Sequence, residues 1–366
     1  MLASEKAKSH QSELRESRRV DGGGGLKMAL FLFGAGATRG ASFVNQADNP
    51  CLPPLDFDFY AQLQRIANLK HKQTVRDVIK DTVDLFGINF QVTMESVFTT
   101  LEQTSRMIET TGENRDFKRS DLEKKKQHLM QAIAATLEES LCAGGQRVGT
   151  ECGYHRTLVD IMKPSDSIIT FNYDCLIDET LRKHGSGKWN PRYGYGLNLG
   201  KGRGNLVGYE HWAPSAPGTK DRTISLYKLH GSLHFLVEGE KVNLKHRPYT
   251  KQRGNLQFTI IPPESNKRYD QGVFKRIWYQ AGQALHRASH LVVIGYSFPI
   301  TDSHSNALFR ISMKKDNLDS LVLVNPDREA RRRAREVLKR GLEPKTKVFV
   351  FDKLSEFAAA TRTLWD

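Results

Sequence analysis

Short apolar runs, each stopped by a glycine or a polar turn residue, constrain the fold of this 366-residue chain more than any other feature. Continuous apolar runs of this length are typical of parallel strands that are buried on both faces of a sheet. Helical patterns lie between most of them, as in a doubly wound α/β fold. We therefore predict a Rossmann-like, mostly parallel sheet of about six strands from these runs: Met28–Phe33, Ser167–Phe171, Thr223–Leu229, Leu291–Gly295, Ser320–Val324 and Lys347–Phe351.

The segments outside these runs differ from one another in pattern. Apolar residues recur at helical spacing after the first run, which predicts a helical insertion over about 57–150. Residues 185–222 are rich in Gly, Pro, Trp and Tyr and are predicted to form an irregular excursion, a kind of loop that often serves as a lid or partner surface. Residues 1–26, which end in consecutive glycines, are predicted to be a flexible charged tail, followed by a folded domain over 27–366.

Charge and cysteine usage limit the class of protein. The formal net charge of +14 favours an acidic partner such as nucleic acid, although an ordinary basic surface explains it equally well. The N-terminal segment lacks the apolar core of a secretory signal, and no apolar run approaches the ~20 residues needed to span a bilayer. We expect a cytoplasmic protein with no membrane contact. The four cysteines form no CxxC pair, so we expect them to be reduced and buried.

The first apolar run ends in the glycine turn Gly34-Ala35-Gly36, which Thr38 and Arg39 follow. Such a turn lets the backbone approach a pyrophosphate, with N–H groups pointing at anionic oxygen. Arg39 can add a phosphate contact, but the turn can also be purely structural. The fingerprint G-x-G-x-x-G is not met because its third position falls on Arg39. No acidic ribose clamp is evident at the end of a second strand, so an ordinary dehydrogenase is not favoured.

Polar residues also follow the second and third runs. Ligands of open α/β sheets bind outside the carboxyl ends of the strands, so we expect Asn172, Asp174 and His230 to share one pocket with the glycine turn. Asn172 carries a donor and an acceptor and can hold a ribose hydroxyl or a water. Asp174 is suited to capping the next helix. His230 has the position of a general base, and a packed core histidine is the competing interpretation.

The later loops add two candidates. Ser297 can donate to a phosphate and Asn325 can donate to an adenosine ribose, or either can simply form a turn. His234 lies four residues after His230, but no third metal ligand is apparent, and His286 with His290 lacks the glutamate of a metalloprotease helix. No metal site is predicted.

Taken in order, Gly-Ala-Gly-Ala-Thr, Thr-Phe-Asn-Tyr-Asp, Leu-His-Gly-Ser, Gly-Tyr-Ser and Asn-Pro at successive strand ends resemble the sirtuin fold family, most closely the sirtuin-like domains of bacterial antiphage defence proteins. The resemblance runs from about Lys27 to the C-terminus and implies an NAD-binding domain over 27–366. The roles it implies are the pyrophosphate for Gly34, Ala35 and Gly36, the nicotinamide ribose for Asn172 and Asp174, catalysis for His230, a phosphate for Ser297 and the adenosine ribose for Asn325.

Two departures from the family pattern bear on activity. Protein-deacetylating sirtuins carry a four-cysteine zinc module after the catalytic histidine, whereas this chain has no cysteine beyond Cys175. We therefore expect neither zinc nor an acyl-lysine cleft. The family's Asp-Phe-Arg element is present only as Asp56-Phe57-Asp58, without the arginine, which leaves the roles of Asp56 and Phe57 open.

The resemblance thus implies an NAD+ hydrolase that releases nicotinamide and ADP-ribose, with Asn172, His230 and Asp174 as catalytic residues. Because unregulated NAD+ loss would harm a cell, we expect a gated effector of antiphage defence, a homo-oligomer that can pair with a hexameric DNA-translocating ATPase or an Argonaute-like protein, as in the systems it resembles. Three alternatives stay open: a non-catalytic sensor of NAD or ADP-ribose, a DNA-associated subunit of a defence complex, and an ADP-ribosyltransferase that modifies a macromolecule.

Overall fold

A computed structural model describes residues 27–44, 51–66, 69–112, 118–141, 151–204, 206–246, 259–262 and 272–364. The described strands are β1 (Met28–Phe33), β2 (Ser167–Thr170), β3 (Leu206–Val207), β4 (Ser225–Lys228), β5 (Gly231–Ser232), β6 (Phe235–Glu238), β7 (Lys241–Lys245), β8 (Thr259–Ile260), β9 (Ala288–Ile294), β10 (Leu318–Val324) and β11 (Leu342–Phe351).

The described α-helices include short pieces as well as long amphipathic ones. They are α1 (Ala35–Arg39), α2 (Phe59–Gln64), α3 (Lys72–Phe86), α4 (Met94–Thr111), α5 (Arg119–Leu141), α6 (Gly153–Ile161), α7 (Leu176–His184), α8 (Pro191–Gly194), α9 (Gly272–Arg287), α10 (Ser303–Ser312), α11 (Arg328–Leu338) and α12 (Leu354–Leu364).

A six-stranded parallel sheet in the order β11-β10-β9-β1-β2-β4 forms the centre of the molecule. Its middle strands are almost wholly apolar and buried, because helices cover both faces of a doubly wound sheet. The predicted doubly wound, Rossmann-like fold is confirmed. Strand β11 begins five residues before the predicted Lys347, because Leu342 already pairs with Leu318 of β10. The register then shifts over residues 343–346 before Lys347 pairs with Ser320, which an edge strand tolerates.

The chain between β1 and β2 contains helices α2 to α6. Helices α2 to α5 pack around a second hydrophobic cluster, which includes Phe59, Leu63, Phe98 and Leu129 and is completed by Leu233 and Ile260 from outside the insertion. The last predicted residues of the insertion, 142–150, lie outside the described residues, as does the predicted tail over 1–26. The start of the insertion is tied to the sheet, because Arg39 of α1 forms an ion pair with Asp58, the residue before α2.

Several aromatic side chains of the excursion over 185–222 belong to the core of the domain. Trp189, Tyr195 and Trp212 are fully buried and pack inside the main core, and a lid or partner surface formed by the rest of this segment stays a prediction. Strand β3 of the excursion pairs with β7, and β7 forms a hairpin with β6. We did not predict this hairpin, although the turn residues Gly239-Glu240 between alternating apolar and polar residues are its sequence signal.

Three cysteines are described, Cys51, Cys152 and Cys175, and each is buried and outside any disulfide between described residues. Cys142 lies outside the described residues. In the part of the chain that the structure describes, no helix combines the length and apolar character that a membrane span requires.

Candidate functional site

The loops predicted to form the site all leave the same edge of the sheet. Phe33 pairs with Thr170 on one side and with Ile294 on the other, and Thr170 pairs in turn with Lys228. The carboxyl ends of β4, β2, β1 and β9 are therefore adjacent. The loops that follow them carry the imidazole, the carboxamide, the glycine turn and Ser297 in that spatial order.

The glycine turn packs against the backbone of the neighbouring β9 loop. A Cβ on Gly34 would lie 2.6 Å from the carbonyl oxygen of Gly295, and one on Gly36 would lie 2.7 Å from Gly295 Cα. The amide of Gly36 donates to Gly295 O at 2.9 Å, and the amide of Ala37 donates to Gly34 O. Close approach of two protein backbones thus requires glycine here. Of the three predicted pyrophosphate ligands, Ala35 keeps an amide that these contacts do not use.

A chain of side-chain hydrogen bonds joins the glycine turn to the loop after β2. Asn172 Nδ2 donates to Gly34 O and to Thr38 Oγ1, each at 3.0 Å. Thr38 Oγ1 in turn donates to Asp174 Oδ2 at 2.7 Å. Both amide hydrogens of Asn172 are used in this way, so Oδ1 is the atom with which this side chain can accept a hydrogen bond from a ligand.

Asp174 is buried beside the start of helix α7. Its Oδ1 accepts from the amide of Leu176, the first residue of that helix, at 2.9 Å, while Oδ2 accepts from Thr38. The carboxylate therefore satisfies an amide at the helix start, as its position in the sequence suggested. Its connection to Asn172 runs through the Thr38 hydroxyl.

His230 lies next to the Asn172 loop, on the turn that follows β4. Asn172 and His230 each lie two residues beyond the paired Thr170 and Lys228. The imidazole is 6% exposed, with its ring centroid 4.9 Å from that of Phe171 and 6.3 Å from that of Tyr173. Phe171 also stacks on Tyr296 of the β9 loop at 4.5 Å. These rings hold the imidazole in place along the same sheet edge as the glycine turn.

The remaining candidates, Arg39, Ser297 and Asn325, differ in the contacts that they already make within the protein. Arg39 donates from Nε to Pro53 O at 2.6 Å and forms an ion pair with Asp58 through Nη2, so a phosphate contact would use its remaining nitrogen. The Ser297 side chain is exposed. Asn325 forms a turn, in which Oδ1 accepts from the amide of Asp327 and Nδ2 donates to Tyr296 O. Their predicted ligand contacts stay predictions.

The Asp56-Phe57-Asp58 element joins the insertion to the site rather than lying free. Asp56 Oδ1 accepts from the amide of Glu95 in the first turn of α4 at 2.9 Å, and burial raises the pKa of Asp56. Phe57 is 75% exposed. Asp58 stands at the position of the arginine in the family's Asp-Phe-Arg element. Its carboxylate forms an ion pair with Arg39, which lies on helix α1 after the glycine turn.

A cysteine and a histidine behind β1 were not singled out from the sequence. His155 Nδ1 lies 3.1 Å from Cys152 Sγ, which also accepts from the amide of Ser42 at 3.3 Å. Burial raises the pKa of Cys152, but His155 outweighs it and lowers this pKa to about 6. His155 also stacks on Phe33, the last residue of β1. The pair fixes the segment after α1 against the start of α6.

A second histidine, His234, lies fully buried beneath the site. Its Nδ1 is 2.8 Å from Ser232 Oγ and 3.0 Å from Cys175 Sγ, and its Nε2 is 3.2 Å from the Tyr195 hydroxyl. Burial is the main cause that lowers the pKa of His234 from 6.5 to about 3. Across the described residues, no group of three or more His, Cys, Asp or Glu is arranged to hold a metal ion, and the absence of zinc remains an expectation.

We expect this histidine to make folding sensitive to acid. Between pH 6.5 and about 3 the unfolded chain binds a proton at His234 that the folded chain does not, so stability falls as the pH falls through this window. The slope from this group approaches about 1.4 kcal/mol per pH unit. Urea unfolding of wild type and His234→Gln at pH 4, 5, 6 and 7 should show a shallower pH slope in the variant. His286→Gln, at an exposed position, is the matched control. Equal slopes in wild type and His234→Gln would contradict the assignment.

A known family model matches part of the chain. A sequence model described as a SIR2-like domain matches residues 166–345, just under half of the chain. The match covers Asn172, Asp174, His230, Ser297 and Asn325, while the glycine turn lies before it. No curated protein matches the chain.

Proposed function

We propose that this chain, whose residues 166–345 form a SIR2-like domain, is an NAD+ glycohydrolase. SIR2-like domains use NAD+, which supports the dinucleotide as the substrate. The observation that carries the proposal is the hydrogen-bonded chain from Asn172 through Thr38 to Asp174, next to the loop that carries His230. This hydrogen-bonded chain fixes the Asn172 carboxamide, and the pairing of β2 with β4 brings its loop next to the loop of His230, at the sheet edge where α/β proteins bind nucleotides.

In this reaction the bond between ribose C1′ and the nicotinamide ring nitrogen breaks, and its electron pair stays on that nitrogen. The ring nitrogen starts cationic, so nicotinamide leaves neutral and needs no general acid. Asn172 Oδ1 accepts a hydrogen bond from a ribose hydroxyl or from the attacking water. As the water oxygen bonds to C1′, His230 accepts the proton and later releases it to solvent. Asp174, through Thr38, holds the Asn172 amide in place.

The absence of cysteine beyond Cys175 favours water over acyl-lysine as the acceptor, because the zinc module of protein-deacetylating sirtuins has no ligands here. Nicotinamide release by the purified chain, followed with and without double-stranded DNA, tests the proposal. Release of nicotinamide and ADP-ribose in equal amounts supports hydrolysis. Binding of NAD+ without release would favour a sensor instead, and label from NAD+ retained on a macromolecule would favour an ADP-ribosyltransferase.

We place regulation of this activity in the helical insertion. Arg39 of helix α1 is held by Pro53 and Asp58, and Thr301 Oγ1 of the β9–α10 loop donates to Glu95 Oε2 at 2.9 Å. A movement of the insertion would therefore reach both the glycine turn and the neighbouring loop. For such coupling we propose the function of a gated, cytoplasmic effector of antiphage defence. It acts as a homo-oligomer, with or without an ATPase or Argonaute-like partner.

Gating by self-assembly predicts that specific activity rises as the protein assembles. Light scattering and nicotinamide release should be measured over the same concentration series. Activity that follows the oligomeric fraction supports the gate. A strictly monomeric protein with full activity at every concentration would contradict it.

A DNA-associated subunit is the second candidate, and helix α11 favours it. Arg328, Arg332 and Arg335 are exposed on this helix, and Arg331 and Arg333 are half-buried beside the β9 and β10 loops. Basic side chains along one helix suit contact with phosphates. Glu329 and Glu336 neutralise part of this charge by pairing with Arg332. Stimulation of nicotinamide release by DNA would support both proposed functions, NAD+ hydrolysis and DNA association, in the same protein.

A further inference from the structure

Lys228, the last residue of β4, is a fully buried cation two residues before His230. Its Nζ donates to the main-chain oxygen of Asp174 at 2.6 Å and to Asp178 Oδ2 at 2.8 Å. One ammonium group thus links three elements, which are the strand that leads to His230, the loop that carries Asn172 and helix α7.

Asp178 also contacts polar groups through the carboxylate oxygen that does not bind Lys228. Asp178 Oδ1 accepts from the Tyr195 hydroxyl at 2.7 Å and lies 3.6 Å from His234 Nε2. Burial opposes charge on Asp178, but Lys228 outweighs it and keeps the pKa of Asp178 below its ordinary value. Burial likewise opposes charge on Lys228, and Asp178 holds the pKa of Lys228 above its ordinary value. Both groups are therefore charged, and each compensates the other.

The contact to Asp174 O is one of several ties between the two site loops. The amide of Leu229 donates to Thr170 O at 3.0 Å, and the amide of Leu233 donates to Tyr173 O at 2.9 Å. Ser232 Oγ also donates to Tyr173 O. These hydrogen bonds lie on both sides of Asn172 in one loop and on both sides of His230 in the other loop. The Lys228 bond differs from the rest because it depends on a side chain and its counter-charge.

A buried ion pair is a weak source of net stability, because desolvation of both charges offsets their attraction, and apolar replacement of both partners is often neutral. We propose that Lys228 and Asp178 are positioning residues, which fix the Asn172 loop relative to His230 by holding the Asp174 carbonyl. This inference rests on the proposed NAD+ hydrolysis.

The test compares wild type with the double variant Lys228→Met/Asp178→Asn, which removes both charges together. Misplacement of reacting groups by about 1 Å can lower a rate on the order of 10²-fold. We expect kcat for nicotinamide release to fall about 10- to 100-fold, with KM close to that of wild type because dinucleotide contacts outside these loops remain. Ser320→Ala is the matched control, since it removes a buried hydrogen bond to His290 between β9 and β10. It should leave kcat unchanged.

A purely structural role predicts another result, in which the folded double variant keeps the kcat of wild type, and that result would overturn the inference. If the double variant does not fold, Lys228→Met/Asp178→Leu, in which both partners are apolar and no buried charge is left unpaired, is measured in its place, and an unchanged kcat overturns the inference equally.

Hydrogen exchange separates failure of this inference from failure of the proposed function. Amides of residues 171–176 should exchange faster in the variant than in wild type, while those of β9 should not change. This comparison needs no turnover. Absence of nicotinamide release from wild type would contradict the hydrolase proposal, and unchanged exchange at 171–176 would contradict the positioning role.

Discussion

Replacement of His230 by alanine should abolish measurable NAD+ hydrolysis in a protein that still folds and binds the dinucleotide. General-base assistance typically contributes about 10²- to 10⁴-fold to a rate, so we expect a loss of that order in kcat. Binding should persist, because the imidazole contacts the aromatic residues Phe171 and Tyr173 and is not predicted to hold the phosphates. Nicotinamide release, dinucleotide calorimetry and circular dichroism on the same preparation provide the check, with His286→Ala as an exposed control.

Asn172 offers an independent test of the same site. Asn172→Ala removes the hydrogen bonds to Gly34 O and Thr38 as well as the Oδ1 acceptor, so both turnover and the position of the glycine turn should suffer. Asn172→Asp keeps an acceptor but faces Gly34 O with a carboxylate oxygen, and it too should be inactive. Retention of wild-type NAD+ loss by both the His230 and the Asn172 variants would remove the catalytic assignment.

Gly295→Ala should strongly destabilise the protein, although it adds only one methyl group at this sheet edge. Gly295 has φ +62°, and a Cβ there would lie 2.3 Å from both Ala37 N and Gly36 C. The left-handed backbone costs a side chain about 1–2 kcal/mol, and overpacking against fixed backbone adds typically about 1–3 kcal/mol. We expect a loss of about 2–5 kcal/mol in the free energy of unfolding, together with weaker NAD+ binding as the glycine turn is displaced.

Gly187→Ala separates the two contributions. Gly187 has φ +69°, close to that of Gly295, and nothing lies within 4 Å of the point that a Cβ would occupy, so only the backbone cost applies. Urea unfolding should therefore rank wild type above Gly187→Ala and Gly187→Ala above Gly295→Ala. Equal destabilisation by the two substitutions would show that the contact between the glycine turn and the β9 loop is not tight.

The sheet could be predicted from the sequence because its strands are nearly uniform apolar runs with turn residues at their ends. The period and length of such runs are local properties. The edge strand β11 was less predictable at its start, where exposure of Pro344 and Lys345 breaks the apolar pattern. Its pairing depends on β10, which a local pattern does not contain.

Site residues could be located from the sequence, but their partners could not. The sequence predicts that Gly34 and Gly36 leave room for a pyrophosphate, which stays a prediction, but it does not show the close contact that the Gly295 backbone makes with both glycines. Arg39 was assigned to a phosphate and is held by Asp58, which lies 19 positions further along the chain. A sequence indicates which groups need a partner, and the tertiary fold decides which partner each one receives.

Lys228 illustrates a signal that was present and not used. A charged residue inside the apolar run Leu226-Tyr227-Lys228-Leu229 must either lie at an edge or find a buried counter-charge. In the structure Asp178 supplies that charge, from a helical segment whose pattern shows only amphipathic spacing. Tyr195, which contacts Asp178, and His234, which contacts Tyr195, complete this buried polar cluster. The sequence around these two residues has no similar pattern that would indicate a buried polar contact.

The structure of His230→Ala crystallised with NAD+ would test directly whether one crevice holds the reacting sugar. The dinucleotide should lie along the carboxyl edge of the sheet, with its nicotinamide ribose between Asn172 Oδ1 and the position left by the imidazole. Density for NAD+ at another surface, or a nicotinamide ribose remote from Asn172, would contradict the proposal that these two loops perform the hydrolysis.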